Sequence, residues 1–156
     1  MKKFAAFAAV VLLLVTVSGC RILEFSKQSI LESYDNALSS LGRYCLTEDD
    51  CLIGTRSFAG DDYTGSYSAQ YQGQSGREVV FGGTSIEDRS LRISGRVVVS
   101  EGSAELCVRL GTAVVLLETG QDGSFDSEIR LTGGSNYVML DFENFTGSVE
   151  IAVEPM

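Results

Sequence analysis

The sequence predicts a mostly β protein: an antiparallel, jelly-roll-like β-sandwich of about eight short strands, preceded by one amphipathic N-terminal helix. Three observations predict it. From Tyr63 onward, apolar and polar residues alternate with period two. Gly-rich and Asp-Gly turn signals recur at near-regular spacing between the alternating runs. No helical pattern separates the strands, which disfavours a parallel α/β sheet, and hairpin-length turns favour antiparallel pairing.

The helix comes first. Ile30, Leu31, Tyr34, Leu38 and Leu41 form one stripe at the helical period within Arg21 to Tyr44. Ser29 with Glu32 makes a capping box, Ser26 is the competing cap, and Gly42 marks the end. Residues 21–28 read alternatively as a tether. The stripe is expected to dock on the β domain. Residues 46–62 read as a polar, acidic connection through Glu48-Asp49-Asp50 and Gly60-Asp61-Asp62.

Eight runs of strand character follow. Tyr63, Gly65, Tyr67, Ala69 and Tyr71 alternate with polar residues, and Gly73 to Gly76 reads as a turn into Glu78–Gly82. Leu91, Ile93, Val97 and Val99 mark the third strand, and Glu101-Gly102-Ser103 turns it into Ala104–Leu110. Thr112 to Glu118 is more continuously apolar, which predicts a strand covered on both faces or crossing the core. Asp122-Gly123 is a hairpin signal before Phe125–Leu131. Gly133-Gly134 precedes Asn136–Phe142, and Ser148–Val153 completes the set.

Composition bounds the chemistry. The 156 residues include 12 basic and 21 acidic ones, and neither histidine nor tryptophan. Without histidine there is no Ser-His-Asp or Cys-His catalysis and no His-ligated metal. The acidic balance argues against nucleic acid, whose phosphates require basic patches. No cofactor and no metal site is expected. Asp61-Asp62 and Asp122 with Asp126 invite a calcium reading, but Gly120 and Ile129 break the loop pattern, and hairpins use Asp and Gly without metal.

The N-terminus carries an address. Lys2 and Lys3 precede an uncharged apolar run, Phe4 to Val15, of a length that suits a signal-peptide core and falls short of a ~20-residue span. Val17-Ser18-Gly19-Cys20 follows. This resembles the signal peptide and lipobox of bacterial lipoproteins. The resemblance implies cleavage before Cys20, lipidation of its thiol, and anchoring at the cell membrane or outer membrane on the extracytoplasmic side. The domain organisation expected is a signal peptide over 1–19, an anchor, helix and acidic connection over 20–60, and the sandwich over 61–156. Removal of Lys2 and Lys3 with the signal leaves ten basic against twenty-one acidic residues, a balance of −11. Charge therefore cannot hold the protein on anionic lipid, and acyl chains must.

Two further sets of residues are candidates. Cys45, Cys51 and Cys107 remain in a disulfide-permissive compartment. The expected bond is Cys45–Cys51 across a five-residue loop, with Cys107 as the alternative partner of either. Tyr63, Tyr67 and Tyr71 share one strand face. They read either as half-buried packing or as a platform on which sugar rings stack. The function expected is non-enzymatic: a membrane-anchored module that presents a β-sandwich for binding or structural interaction. The alternatives are an accessory subunit contacting another envelope protein, or a glycan-binding module.

Overall fold

The computed structural model describes Ser33, Tyr34, Ala37, Leu38 and residues 40–156. The lipobox-like residues Val17 to Cys20, and Ile30 and Leu31 of the stripe, lie outside them. Leu38–Met156 forms one compact unit. No helix among the described residues is long and apolar enough to cross a membrane. Helical backbone is present at the described positions 33, 34, 37, 38 and 40–43. Leu41, expected to dock, is 63% exposed. Gly42 makes the approach instead: a Cβ there would lie 2.3 Å from the Thr84 nitrogen, so only glycine permits the contact.

The chain then lies across the sheet. The Leu46 N–H donates to the Arg43 carbonyl, and the Leu46 side chain is buried with Cys107, Tyr137 and Met139. Thr47 clamps Val79 twice: its N–H donates to the Val79 carbonyl at 3.0 Å, and its Oγ1 accepts the Val79 N–H at 2.8 Å. Within the stretch read as a connection lies a strand, β1 (Thr55–Phe58).

Five more strands complete an antiparallel sheet. They are β2 (Gly65–Ser85), β3 (Arg89–Leu110), β4 (Ala113–Leu116), β5 (Ser124–Leu131) and β6 (Gly134–Pro155). The order is β1-β2-β6-β3-β4, and β5 also pairs with β3. The sequence divides β2, β3 and β6 into six short strands; the structure runs each pair together into one strand of 21 or 22 residues. Gly73 and Gly102 do adopt left-handed φ values of +60° and +73°, but each makes a bulge that bends its strand instead of reversing it. Asn144, at φ +47°, lies in the matching stretch of β6. The irregularities align across the sheet, with Gln74 opposite Phe145 and Glu101 opposite Thr146.

The sheet therefore folds over along one line, and its two halves supply the two layers of a β-sandwich. Tyr67, Ile93 and Val149 from one half share a single core with Phe81, Leu106 and Leu140 from the other. The outer face of the second half is covered in part by Leu46 over Cys107, Tyr137 and Met139. β4 departs from expectation. All four of its residues are exposed, at the outermost position of the sheet beyond β3. Leu117, just past it, is the residue that reaches the core.

Candidate functional site

The three tyrosines are on one face, as their spacing predicts, but that face is the core. Tyr67 is 1% exposed, Tyr71 2% and Tyr63 6%. None offers a ring to a ligand, which corrects the stacking platform. Tyr67 and Tyr71 instead reach across the fold to Glu78, a residue beyond the β2 bulge. Both hydroxyls donate to its Oε2, at 2.5 and 2.7 Å, and the Ile53 N–H donates to its Oε1 at 2.7 Å. Burial, and next the Glu78 hydrogen bond, push both phenols above their ordinary range. Glu78 has no sequence signature of its own: it is one acid at the head of an apolar run. The only clue was an acidic residue beginning Glu78-Val79-Val80-Phe81.

Tyr63 has a different role. Its ring supports the Arg89 guanidinium, whose Cζ lies 4.2 Å from the ring centroid. Burial raises the Tyr63 phenol to about 12, with the Arg89 charge opposing the shift. Arg89 stands at the edge of an open cleft of ≈ 480 Å³ at one end of the sandwich. The cleft is built where the β1–β2 connection, the β2–β3 connection, the start of β3 and the ends of β5 and β6 meet. Its polar rim is two guanidinium–carboxylate pairs, Arg89 Nη1 to Asp61 Oδ2 at 2.7 Å and Arg130 Nη2 to Asp88 Oδ2 at 3.2 Å. Pro155 and Met156 supply the apolar wall, with Leu91 buried behind them.

These polar groups are fixed before any ligand arrives. Asp61 Oδ1 accepts the Tyr63 N–H and the Thr64 hydroxyl, each at 3.0 Å. Asp88 Oδ1 accepts the Gly133 N–H at 3.1 Å. Arg89 is held flat by Tyr63 and by Asp61. Side by side, each pair offers donors and acceptors with no net charge; both carboxylates and Arg89 are braced by second contacts, and Arg130 is held by Asp88. Of the cleft residues, the sequence singled out only Asp61. Asp88, Arg89 and Arg130 are isolated charges in the chain, brought together by the strand register.

Arginine–aspartate pairing is general here. Residues 40–156 contain eight arginines and no lysine. Seven of the eight pair with an aspartate. The aspartates that invite a calcium reading are all engaged this way: Asp61 with Arg89, Asp62 with Arg43, Asp122 with Arg96, Asp126 with Arg92. Hydrogen bonds from Ser124, and then Arg96, hold the Asp122 carboxyl at about 2. Arg56 is the buried member, 4% exposed, and ties Thr47, Asp49 and Val80 to β1.

The three described cysteines are free thiols, which corrects the expected Cys45–Cys51 bond and its Cys107 alternative. Leu46 and Thr47, between Cys45 and Cys51, are pinned to the sheet, so the loop is laid over β2 with both thiols at the surface. Cys107 is buried, and burial raises its thiol to about 11. Cys51 is exposed beside Glu48 and Asp50, the three offering ligand atoms within 4.8 Å of one another, and the Asp50 charge raises its thiol. Raised thiols are poor nucleophiles.

No protein-family model and no curated protein matches the sequence. Among solved structures, the fold is similar to a pre-peptidase C-terminal domain of collagenase from Bacillus anthracis, with 13% identity over 65% of this chain and 86% of that one, TM-score 0.36. It is also similar to a carbohydrate-binding module of a Cellvibrio mixtus lichenase in complex with cellotriose, with 11% identity over 74% and 95% of the two chains, TM-score 0.37. A family 35 carbohydrate-binding module from Cellvibrio japonicus has 18% identity over 66% and 84%, TM-score 0.37. At these identities no residue of theirs maps onto this chain.

Proposed function

We propose that this protein is a lipid-anchored, non-enzymatic module of the bacterial cell envelope that binds a saccharide in the cleft at the end of its sandwich. The observation that carries the binding role is two neighbouring guanidinium–carboxylate pairs, their carboxylates and Arg89 held by second contacts, beside an apolar wall. A sugar hydroxyl both donates and accepts, so neighbouring hydroxyls match a guanidinium next to a carboxylate. The C–H face of the ring suits the exposed Pro155 and Met156. Groups held in place by second contacts lose little freedom on binding, which favours affinity. Asp61 and Asp88 are each committed to an arginine, so neither stands as a free acid or base for catalysis.

The anchor rests on Val17-Ser18-Gly19-Cys20. Two or more acyl chains at Cys20 hold a protein stably, at about 0.8 kcal/mol per buried CH₂.

Calorimetric titration of the full chain in detergent against a panel of oligosaccharides tests the binding role. At least one oligosaccharide is expected to bind. Arg130→Ala, which removes a guanidinium 76% exposed and costs the fold little, is expected to weaken that binding by about tenfold, the effect of losing ~1.4 kcal/mol. Binding to none of the panel, or unaltered binding by the variant, overturns it. Cys20→Ala is expected to move the protein from the detergent phase to the aqueous phase in a partition assay. A variant that stays with the detergent refutes the anchor.

A further inference from the structure

In β4, sequence and surroundings disagree. Ala113–Leu116 is apolar on both faces, the pattern of a covered strand, yet Val114 is 62% exposed, Val115 37% and Leu116 55%. β5 runs along the same edge of β3 and carries Asp126, Glu128 and Arg130 in alternation. Charges of that kind block edge-to-edge pairing. β4 has none.

The backbone of β4 is equally available. The Leu117 N–H donates to the Leu106 carbonyl, and the register continues through Val108↔Val115 and Leu110↔Ala113. Antiparallel bonding alternates along a strand. Ala113, Val115 and Leu117 therefore spend their backbone groups on β3, and Val114 and Leu116 turn theirs outward.

We infer that a second copy of this chain pairs with this edge, antiparallel, about a two-fold axis through Val115. The axis must pass through a residue, because only outward-turned residues can bond to each other. In this register Val114 lies opposite Leu116 of the second copy, Leu116 opposite its Val114, and Val115 opposite itself. Every facing pair is apolar.

Charge selects the same occupant. Among the described residues, Arg109 is the one arginine with no aspartate partner. Its Nε donates to the Gly111 carbonyl at 2.9 Å, which holds it at the β3–β4 turn. In the two-fold register, Glu118 of the second copy falls opposite Thr112, next to Gly111 and hence beside Arg109. The pairing is reciprocal, so each copy supplies one acid and one base. A strand of four residues covers far less than the ~1,200 Å² of a stable interface, and the like net charges of the two copies oppose it. The dimer is weak and favoured by high local concentration.

Cross-linking of the full chain in detergent, with Cys45 and Cys51 changed to serine, tests the register. Two-fold pairing places residue 115 of both copies in a non-hydrogen-bonded pair, with Cα atoms about 4.5 Å apart, within disulfide reach. Val115→Cys is expected to form a disulfide-linked dimer on mild oxidation, and Asp126→Cys on the guarded β5 edge is not. Sedimentation at rising protein concentration tests the charge pairing. Arg109→Glu and Glu118→Arg are each expected to weaken dimerisation severalfold, and the double variant to restore it. Equal cross-linking at the two positions, a wild-type chain that stays monomeric throughout, or a double variant as weak as the single ones overturns the inference. None of these readings depends on the saccharide cleft.

Discussion

Glu78 fastens the two layers together. A buried carboxylate is costly unless donors satisfy it, and here two phenols and a backbone N–H do so. Glu78→Ala takes the acceptor from both hydroxyls and from the Ile53 N–H; the hydroxyls, 3.0 Å apart, can bond each other, so one hydroxyl and the N–H are left buried without an acceptor. Each orphaned group costs ~1–3 kcal/mol, so the variant is expected to lose about 3 kcal/mol of stability in urea unfolding. Glu78→Gln, which keeps an acceptor oxygen, should lose less. Equal stability of Glu78→Ala and the wild type would contradict the role. At this scale the sequence displayed the tyrosines but hid their task. Alternation shows which residues share a face, and it cannot show whether that face meets solvent or a folded-over continuation of the same strand.

At the scale of elements, the bulges decide the architecture. Gly102 has φ +73°, and a Cβ on it would lie 2.3 Å from the Asn144 carbonyl oxygen, at the fold line of the sheet. Gly73 has φ +60° with open space around it. Gly73→Ala is expected to cost about 1–2 kcal/mol, the left-handed conformation alone. Gly102→Ala must also displace backbone at the bend, and thermal denaturation should show a clearly larger loss. If the two variants melt alike, the bend does not depend on that close approach. Glycine in the alternating pattern was legible as a break in each strand. A hairpin turn and a bulge use the same residues and the same positive φ, so the sequence could not say whether the chain reverses or bends. β1 was missed for a related reason. Its inward residue is Arg56, not an apolar one, and it is buried only through acceptors supplied by the Thr47 and Val80 carbonyls and by Asp49.

For the described residues as a whole, arginine–aspartate pairs neutralise seven of eight arginines and leave the glutamates to set the charge. Asp122, Asp126 and Asp141 sit below the ordinary carboxylate range, Asp122 at about 2, chiefly through hydrogen bonds from Ser124 or arginine. A depressed folded-state value means that the unfolded chain takes up protons first, near pH 4. The stability is present above that pH and is lost as the pH falls toward 2. At the alkaline end the sign reverses. Cys107 at about 11 and Tyr63 at about 12 keep their protons while the unfolded chain releases its own from about pH 9. Their contribution is full below pH 9 and disappears as the pH rises to about 12. Melting temperature against pH should therefore fall on both flanks. A flat profile from pH 9 to 12 would show that Cys107 and Tyr63 are not held protonated.

The sequence by itself determined the β class, the antiparallel pairing, the shared face of Tyr63, Tyr67 and Tyr71, and the positions where the strands break. These are local properties, set by side-chain period and by backbone conformations that glycine alone adopts at low cost. Only the tertiary structure decided that the breaks are bends, that the tyrosine face is a core closed around Glu78, that the cysteines stay apart, and that Asp61, Asp88, Arg89 and Arg130 share one cleft. Each of those depends on register between strands far apart in the chain, where one residue of bulge moves a side chain from one face of the sheet to the other.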